Sequence, residues 1–234
     1  MRVFARTLSA RTAAPSVSLD DLIKKAGYKS EKKILRNYKI GPPATEKELA
    51  DAEEQLGFVF PTSFRKVMLE FSASFNVWWH LPNQPVVRFP VGSSSASYGG
   101  CCWNLEEIVQ INCRDYDDIV QIYSQTEDEE DRTYFLDFFE HRRFWLEIGN
   151  GDALMMDNNH ATDGQEISYF MHDGGPDDGF GAVLGQNFED FIDRWTQLAF
   201  VGPEFWILGN FLGTNGVDPD AELGKNFRSW FFAE

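Results

Sequence analysis

Cysteine is scarce: 234 residues hold three, with Cys101 and Cys102 adjacent and Cys113 nearby. That number and spacing cannot build a disulfide framework and fit a reducing compartment, so a cytoplasmic protein is expected. No apolar run approaches the ~20 residues that a membrane-spanning helix needs, which leaves no reason to expect a membrane partner. Histidine is also sparse. His80, His141, His160 and His172 show no His-Glu-x-x-His spacing, and the cysteines no Cys-x-x-Cys spacing, that would hold a metal. The adjacent Cys101 and Cys102 do not comfortably ligate one ion. His172-Asp173 lacks the further His and Asp partners of a metallohydrolase and reads as loop-ordering. Neither a Gly-x-Ser-x-Gly elbow nor a Gly-x-x-x-x-Gly-Lys phosphate loop occurs. These absences predict a protein that is not an enzyme, with no catalytic residue, metal or cofactor.

Positive charge is scarce beyond the first forty residues. Residues 1–40 carry ten Lys or Arg against three Asp or Glu, and the remainder eleven against thirty-four, for a net charge of −16. Such a body repels nucleic acid and anionic membranes and attracts basic proteins, although plain solubility is served by the same charge.

What is abundant is aromatic: 21 Phe and 7 Trp imply a heavily aromatic interior. Residues 1–16 are basic and free of acids, a flexible arm that also resembles a short transit peptide. Ser18 is placed to cap a short helix ending at Gly27, and Ser30 to Tyr38 suggests another turn with Ile34, Leu35 and Tyr38 inward. The lysines here lack the aromatic interleaving of a nucleic-acid patch and are expected to dock on the acidic body. Gly41-Pro42-Pro43 marks a boundary, and Thr45-Glu-Lys-Glu48 is a capping box. Leu49, Ala52 and Leu56, then Phe64, Val67, Met68 and Phe71, are the stripes of two helices.

Strands are predicted over 76–80 and 86–89, a Ser-rich loop over 92–100, and a helix capped by Asn104 with Leu105, Ile108 and Val109 inward. Asp117 or Asp118 is placed to cap a further short helix. The acids Glu127, Asp128, Glu129 and Glu130 open another, which His141-Arg-Arg143 closes in the sense that favours a helix dipole. In Phe144–Asp157, Asn150-Gly151 predicts a two-residue type I′ hairpin with one apolar face on a core. Its Asp152 and Asp157 either close turns or contact a partner. Residues 158–164 read as a turn, 167–171 as a strand, 172–179 as an acidic glycine-rich loop, and Asn187 as the cap of the last strong helix. Trp103 and Trp195 are expected in the core.

Four stretches, in this order, resemble the SUKH superfamily, the group of Smi/Knr-like proteins and many bacterial toxin-immunity proteins. They are Ala44 to Arg65, Trp103-x-Leu105-x-x-Ile108, Ile148-Gly-Asn-Gly-Asp152 closing on Asp157, and Tyr169-Phe-Met-His-Asp173 followed by Leu184 to Phe191. The resemblance spans about Ala44 to Leu198. It implies an α+β domain with a mostly antiparallel central sheet flanked by helices. On this reading 1–43 is a basic arm with short helices, 44–199 the SUKH-like domain, and 200–234 an aromatic extension packed on it. The resemblance further implies a non-catalytic immunity protein that occludes a cognate protein toxin, often a nuclease. A regulatory adaptor of the Smi/Knr type is the alternative. The expected partner is that toxin, with no nucleic acid or membrane, and the expected state a monomer or weak homodimer. Candidate contact residues are Asp152, Asp157, Asp173, Asp177, Asp178, Glu127, Asp128, Glu129 and Glu130.

Overall fold

The computed structural model describes residues 35–80, 98–159, 167–172, 174 and 179–231. The helices predicted before residue 35, the strand at 86–89 and most of the turn at 158–164 lie outside them. The described residues form helices and antiparallel sheets, the α+β class that the SUKH resemblance implies. They divide into two compact units, interleaved along the chain. Among the described residues, one unit takes 35–40, 75–80, 98–102 and 189–231, the other 41–74, 103–159, 167–172, 174 and 179–188.

In the first unit, β1 (Leu35–Ile40) pairs antiparallel with β2 (Ser74–His80), and β3 (Tyr98–Asn104) completes a three-stranded sheet. The helical turn predicted up to Tyr38 is therefore corrected to a strand. Tyr38 and Ile40, expected to point inward or left unassigned, are half exposed on this edge strand. The loop predicted up to Gly100 also gives way to a strand from Tyr98. Here the backbone of Gly100 donates to Phe200 O (2.8 Å), a long-range pairing that a local glycine count misses. Of α6 (Phe188–Gln197), the residues from Glu189 belong to this unit, and Phe191 stacks on Trp195. The chain leaves that helix through Ala199 and Phe200, both at φ 55. The Trp79 indole, which donates to Ala199 O at 2.6 Å, helps hold this uncommon conformation. Beyond it lie α7 (Phe205–Leu208), the short β8 (Leu212–Gly213) and β9 (Gly216–Val217), and α8 (Glu222–Phe231). Phe227 of α8 stacks on Phe231 and meets the ring of Phe211 edge-on.

The second unit opens with α1 (Glu46–Leu56) and α2 (Thr62–Glu70). The predicted capping box is complete: Glu48 N donates to Thr45 Oγ1, and Thr45 N donates to the Glu48 carboxylate at 2.7 Å. Gly57, at φ 56, ends the helix in the left-handed region. Arg65 bridges Glu53 and Glu46 and ties the two helices together.

Next come α3 (Leu105–Ile111), a π-helical turn (Asn112–Tyr116), α4 (Asp117–Ser124) and α5 (Glu129–Glu140). Asn104 caps α3 as predicted, accepting from Glu106 N and Glu107 N. The cap predicted at Asp117 or Asp118 does not form, because the chain stays helical through the π turn and Asp117 is already in the helical conformation. That turn aims the buried Asn112 side chain at a strand. Its Nδ2 donates to Ile108 O and Phe144 O, and its Oδ1 accepts from Phe144 N at 3.0 Å. One amide thus satisfies both backbone groups of Phe144. Asn112→Ala is expected to cost about 2–3 kcal/mol by orphaning them. Urea denaturation checks this, and a loss below ~1 kcal/mol contradicts the assignment.

A four-stranded antiparallel sheet follows, in the order β4 (Arg142–Glu147), β5 (Ala153–Asp157), β6 (Ile167–Phe170) and β7 (Val183–Gly185). Its register shifts between Phe144 and Leu146, so Trp145 is the extra residue of a bulge. One face carries Phe144, Met155 and Phe170 into a cluster with Phe135, Phe138, Phe139 and Phe180. On the other face Trp145 meets Phe188 edge-on at 5.0 Å, and Phe188 also touches Phe64 and Trp103. The expectation of a single apolar face is thereby corrected: every residue of β5 is buried.

The predicted two-residue turn is corrected as well. Ile148 N donates to Asp152 O, Gly151 N donates to Ile148 O, and only Gly151 of the turn has positive φ (+93). This is a three-residue loop closed by a glycine bulge.

Candidate functional site

Asp152 and Asp157, the two hairpin carboxylates, are withdrawn from the surface at 3% and 5% exposure. Asp152 is a hub. Its carboxylate accepts from Tyr169 Oη (2.7 Å), Asn150 Nδ2 (2.7 Å) and His172 N (3.1 Å), and it faces His172 Nδ1 at 3.2 Å. Burial by itself raises the pKa of this carboxyl. The donors from Tyr169, His172 and Asn150 outweigh burial and hold it below the usual carboxylate value. A side chain at Gly151 would sit 3.0 Å from the His172 ring, so both the positive φ and the close approach call for glycine there. Tyr123 Oη donates to His172 O at 2.8 Å and ties α4 to the same corner.

Asp157 is paired with Arg142 at 2.8 Å and accepts from Asn159 N. The same guanidinium donates to Phe138 O near the end of α5 and to Ser168 Oγ. Both aspartates therefore close turns and strands, the first of the two roles open to them, and neither presents its carboxylate outward.

Glu127, Asp128, Glu129 and Glu130 lie exposed at the start of α5. Asp128 accepts from Glu130 N (2.9 Å) and Asp131 N (3.1 Å) as the helix cap, while the glutamates extend this acidic end. Asp173, Asp177 and Asp178 lie outside the described residues. Residues 103–140 hold twelve Asp or Glu and only two Arg. Of these arginines, Arg114 is bound to Asp115 and Glu147, and Arg132 donates to Thr126 O. The helical side of the second unit is thus strongly negative.

Among the described residues no three His, Cys, Asp or Glu cluster as a metal site. Cys101 is buried, and burial, helped by neighbouring Cys102, pushes its thiol well above the usual value, away from the reactive thiolate.

A groove of about 510 Å³ runs between α1 and α3, and no motif announced it. Pro42, Pro43, Ala52, Leu105 and Val109 supply its apolar lining. Glu48, Asp51 and Glu106 supply carboxylates, and Gln55 and Gln110 supply amides. The signal was present in part: Ala52 is the small residue of an otherwise leucine-rich stripe, which leaves space where two helices meet.

The family described as SMI1 / KNR4 family (SUKH-1) matches residues 43–194. The chain belongs to that family. No curated protein matches the chain. The SUKH-1 match takes in the capping box, the groove lining apart from Pro42, the acidic helices and the Asp152 hub. It leaves out β1 and everything after residue 194, including the half-exposed Trp206. Among the described residues no helix is long and apolar enough to cross a membrane.

Proposed function

We propose that this SUKH-1 protein is a non-catalytic immunity protein that binds a basic bacterial toxin and occludes its active site. The exposed acidic side of the second unit carries the reading. Twelve carboxylates against two already engaged arginines over residues 103–140 make a surface that attracts a cationic protein. A nuclease suits it best, because a channel built for phosphates is positively charged and attracts such a carboxylate-rich surface. The proposal includes Glu127, Asp128, Glu129, Glu130, Asp173, Asp177 and Asp178 as contact residues and omits the buried Asp152 and Asp157. It places the protein in the cytoplasm, as a monomer or weak homodimer, without nucleic-acid partner, metal or cofactor. Residues 44–199 are the binding domain of this proposal, with 1–43 and 200–234 as additions.

The test is co-expression with toxins encoded beside the gene, followed by binding kinetics with the one whose killing it prevents. The on-rate is expected to fall at least about tenfold between 50 and 500 mM salt, because screening removes long-range steering. Asp173→Asn, Asp177→Asn and Asp178→Asn together are expected to slow association. An on-rate indifferent to salt and to the triple change sinks the charge-steered reading. A second reading, a regulatory adaptor, is favoured by Trp206, half exposed and outside the matched region. Loss of partner capture on Trp206→Ala, without any toxin to rescue from, would select it.

A further inference from the structure

We infer that the groove between α1 and α3 is the docking site for a short basic, apolar-flanked segment of the protein partner. This rests on the binding reading above and names the place where contact is made. The groove joins apolar lining to carboxylates. Part of its lining is apolar, with Ala52 and Leu105 buried and Val109 half-buried, so an aliphatic side chain entering it leaves water. Its volume of about 510 Å³ lies within the range of built ligand clefts, ~300–1,000 Å³.

Among the described residues the charged side chains that line it are carboxylates, and Lys47 pairs with Asp51 at its rim. Three carboxylates line the groove and no Lys or Arg does. Glu48 is committed to the helix cap with Thr45. Asp51 and Glu106 remain for a partner. Among the described residues Asp51 pairs with the largely exposed Lys47, and Glu106 accepts from Gln110 at 3.3 Å. An exposed i,i+4 pair of this kind yields readily to a better placed cation. Anionic ligands are repelled here and a wholly apolar one leaves the rim carboxylates desolvated. A segment alternating Lys or Arg with aliphatic residues satisfies both floor and rim.

The test uses the full chain and a fluorescein-labelled peptide of alternating Lys and Leu, with a Glu/Leu peptide as control, read by fluorescence anisotropy. Asp51→Lys with Glu106→Lys is compared with Glu129→Lys with Glu130→Lys. Both pairs exchange two exposed acids for two cations, and only the first pair lines the groove. The groove pair is expected to weaken Lys/Leu binding about tenfold or more, and the α5 pair by less than about threefold. Val109→Arg retains every carboxylate yet places a cation in the groove, and it is expected to weaken binding similarly. Equal weakening by both pairs means diffuse attraction: the groove inference is overturned while the acidic-surface reading stands. Weakening by neither pair overturns the groove inference and counts against charge-steered binding too. Failure of the unmodified chain to bind the Lys/Leu peptide overturns the groove inference, and the toxin's salt dependence then judges the broader reading by itself.

Discussion

Asp152→Ala is expected to destabilise the folded chain by about 2–5 kcal/mol, because several donors converge on this one buried acceptor. The carboxylate is 3% exposed and joins three parts of the second unit: the hairpin loop through Asn150, β6 through Tyr169, and the segment after β6 through His172. Without it the Tyr169 hydroxyl and the His172 N–H lose their acceptor, and each unmade bond costs on the order of 1–3 kcal/mol. Asp152→Asn keeps the shape and one oxygen, so a smaller loss is expected. The pH dependence has a definite sign. The folded pKa lies below the unfolded value of about 3.9, so the contribution is complete above that value. It is lost as pH falls through the folded pKa. Urea denaturation at pH 7 and in the acid limb should show Asp152→Asn flattening that limb. A loss under ~1 kcal/mol for Asp152→Ala, with the acid limb unchanged, shows that the hub is incidental.

Phe188→Ala is expected to cost about 3–5 kcal/mol by opening a cavity among large rings. Phe188 has no exposed surface and meets Phe64 at 5.0 Å, Trp145 at 5.0 Å and Trp103 at 5.8 Å, each edge-on. Neighbouring rings are stiff and interlocked, so the site collapses poorly and the upper part of the range applies. Its backbone N–H also donates to Ser63 Oγ, which fixes where α6 begins. Phe188→Leu, which conserves more volume, should cost far less. If both substitutions shift the denaturation midpoint equally, cavity formation is not the dominant loss.

Several elements were readable because their causes lie within a few residues of one another. The Thr45–Glu48 box and the Asn104 cap each depend on a side chain and an amide two or three positions away. The strand at 98–104 was not readable, since Gly99 and Gly100 carry turn-forming composition and only a distant pairing partner turns them into a strand. The hairpin was legible as a hairpin, but its bulge at Trp145 and its two buried faces follow from rings supplied elsewhere in the chain. The candidate site divided in the same way. Glu127 to Glu130 lie outward at the start of a helix as their run suggested, whereas Asp152 and Asp157 carried no local mark of burial.

By itself the sequence determined the acidic character of the body, the helix boundaries set by caps and glycines, and the absence of recognised catalytic and metal motifs. These are properties of composition and of neighbours along the chain. Only the tertiary structure decided which carboxylates are structural, how Asn112 holds Phe144, and where α1 and α3 leave a groove. Those outcomes join residues 15 to 32 positions apart, as in Arg142–Asp157 and Asn112–Phe144, or depend on two helices packed side by side. Solvation and partner geometry govern them, and neither is written in local spacing.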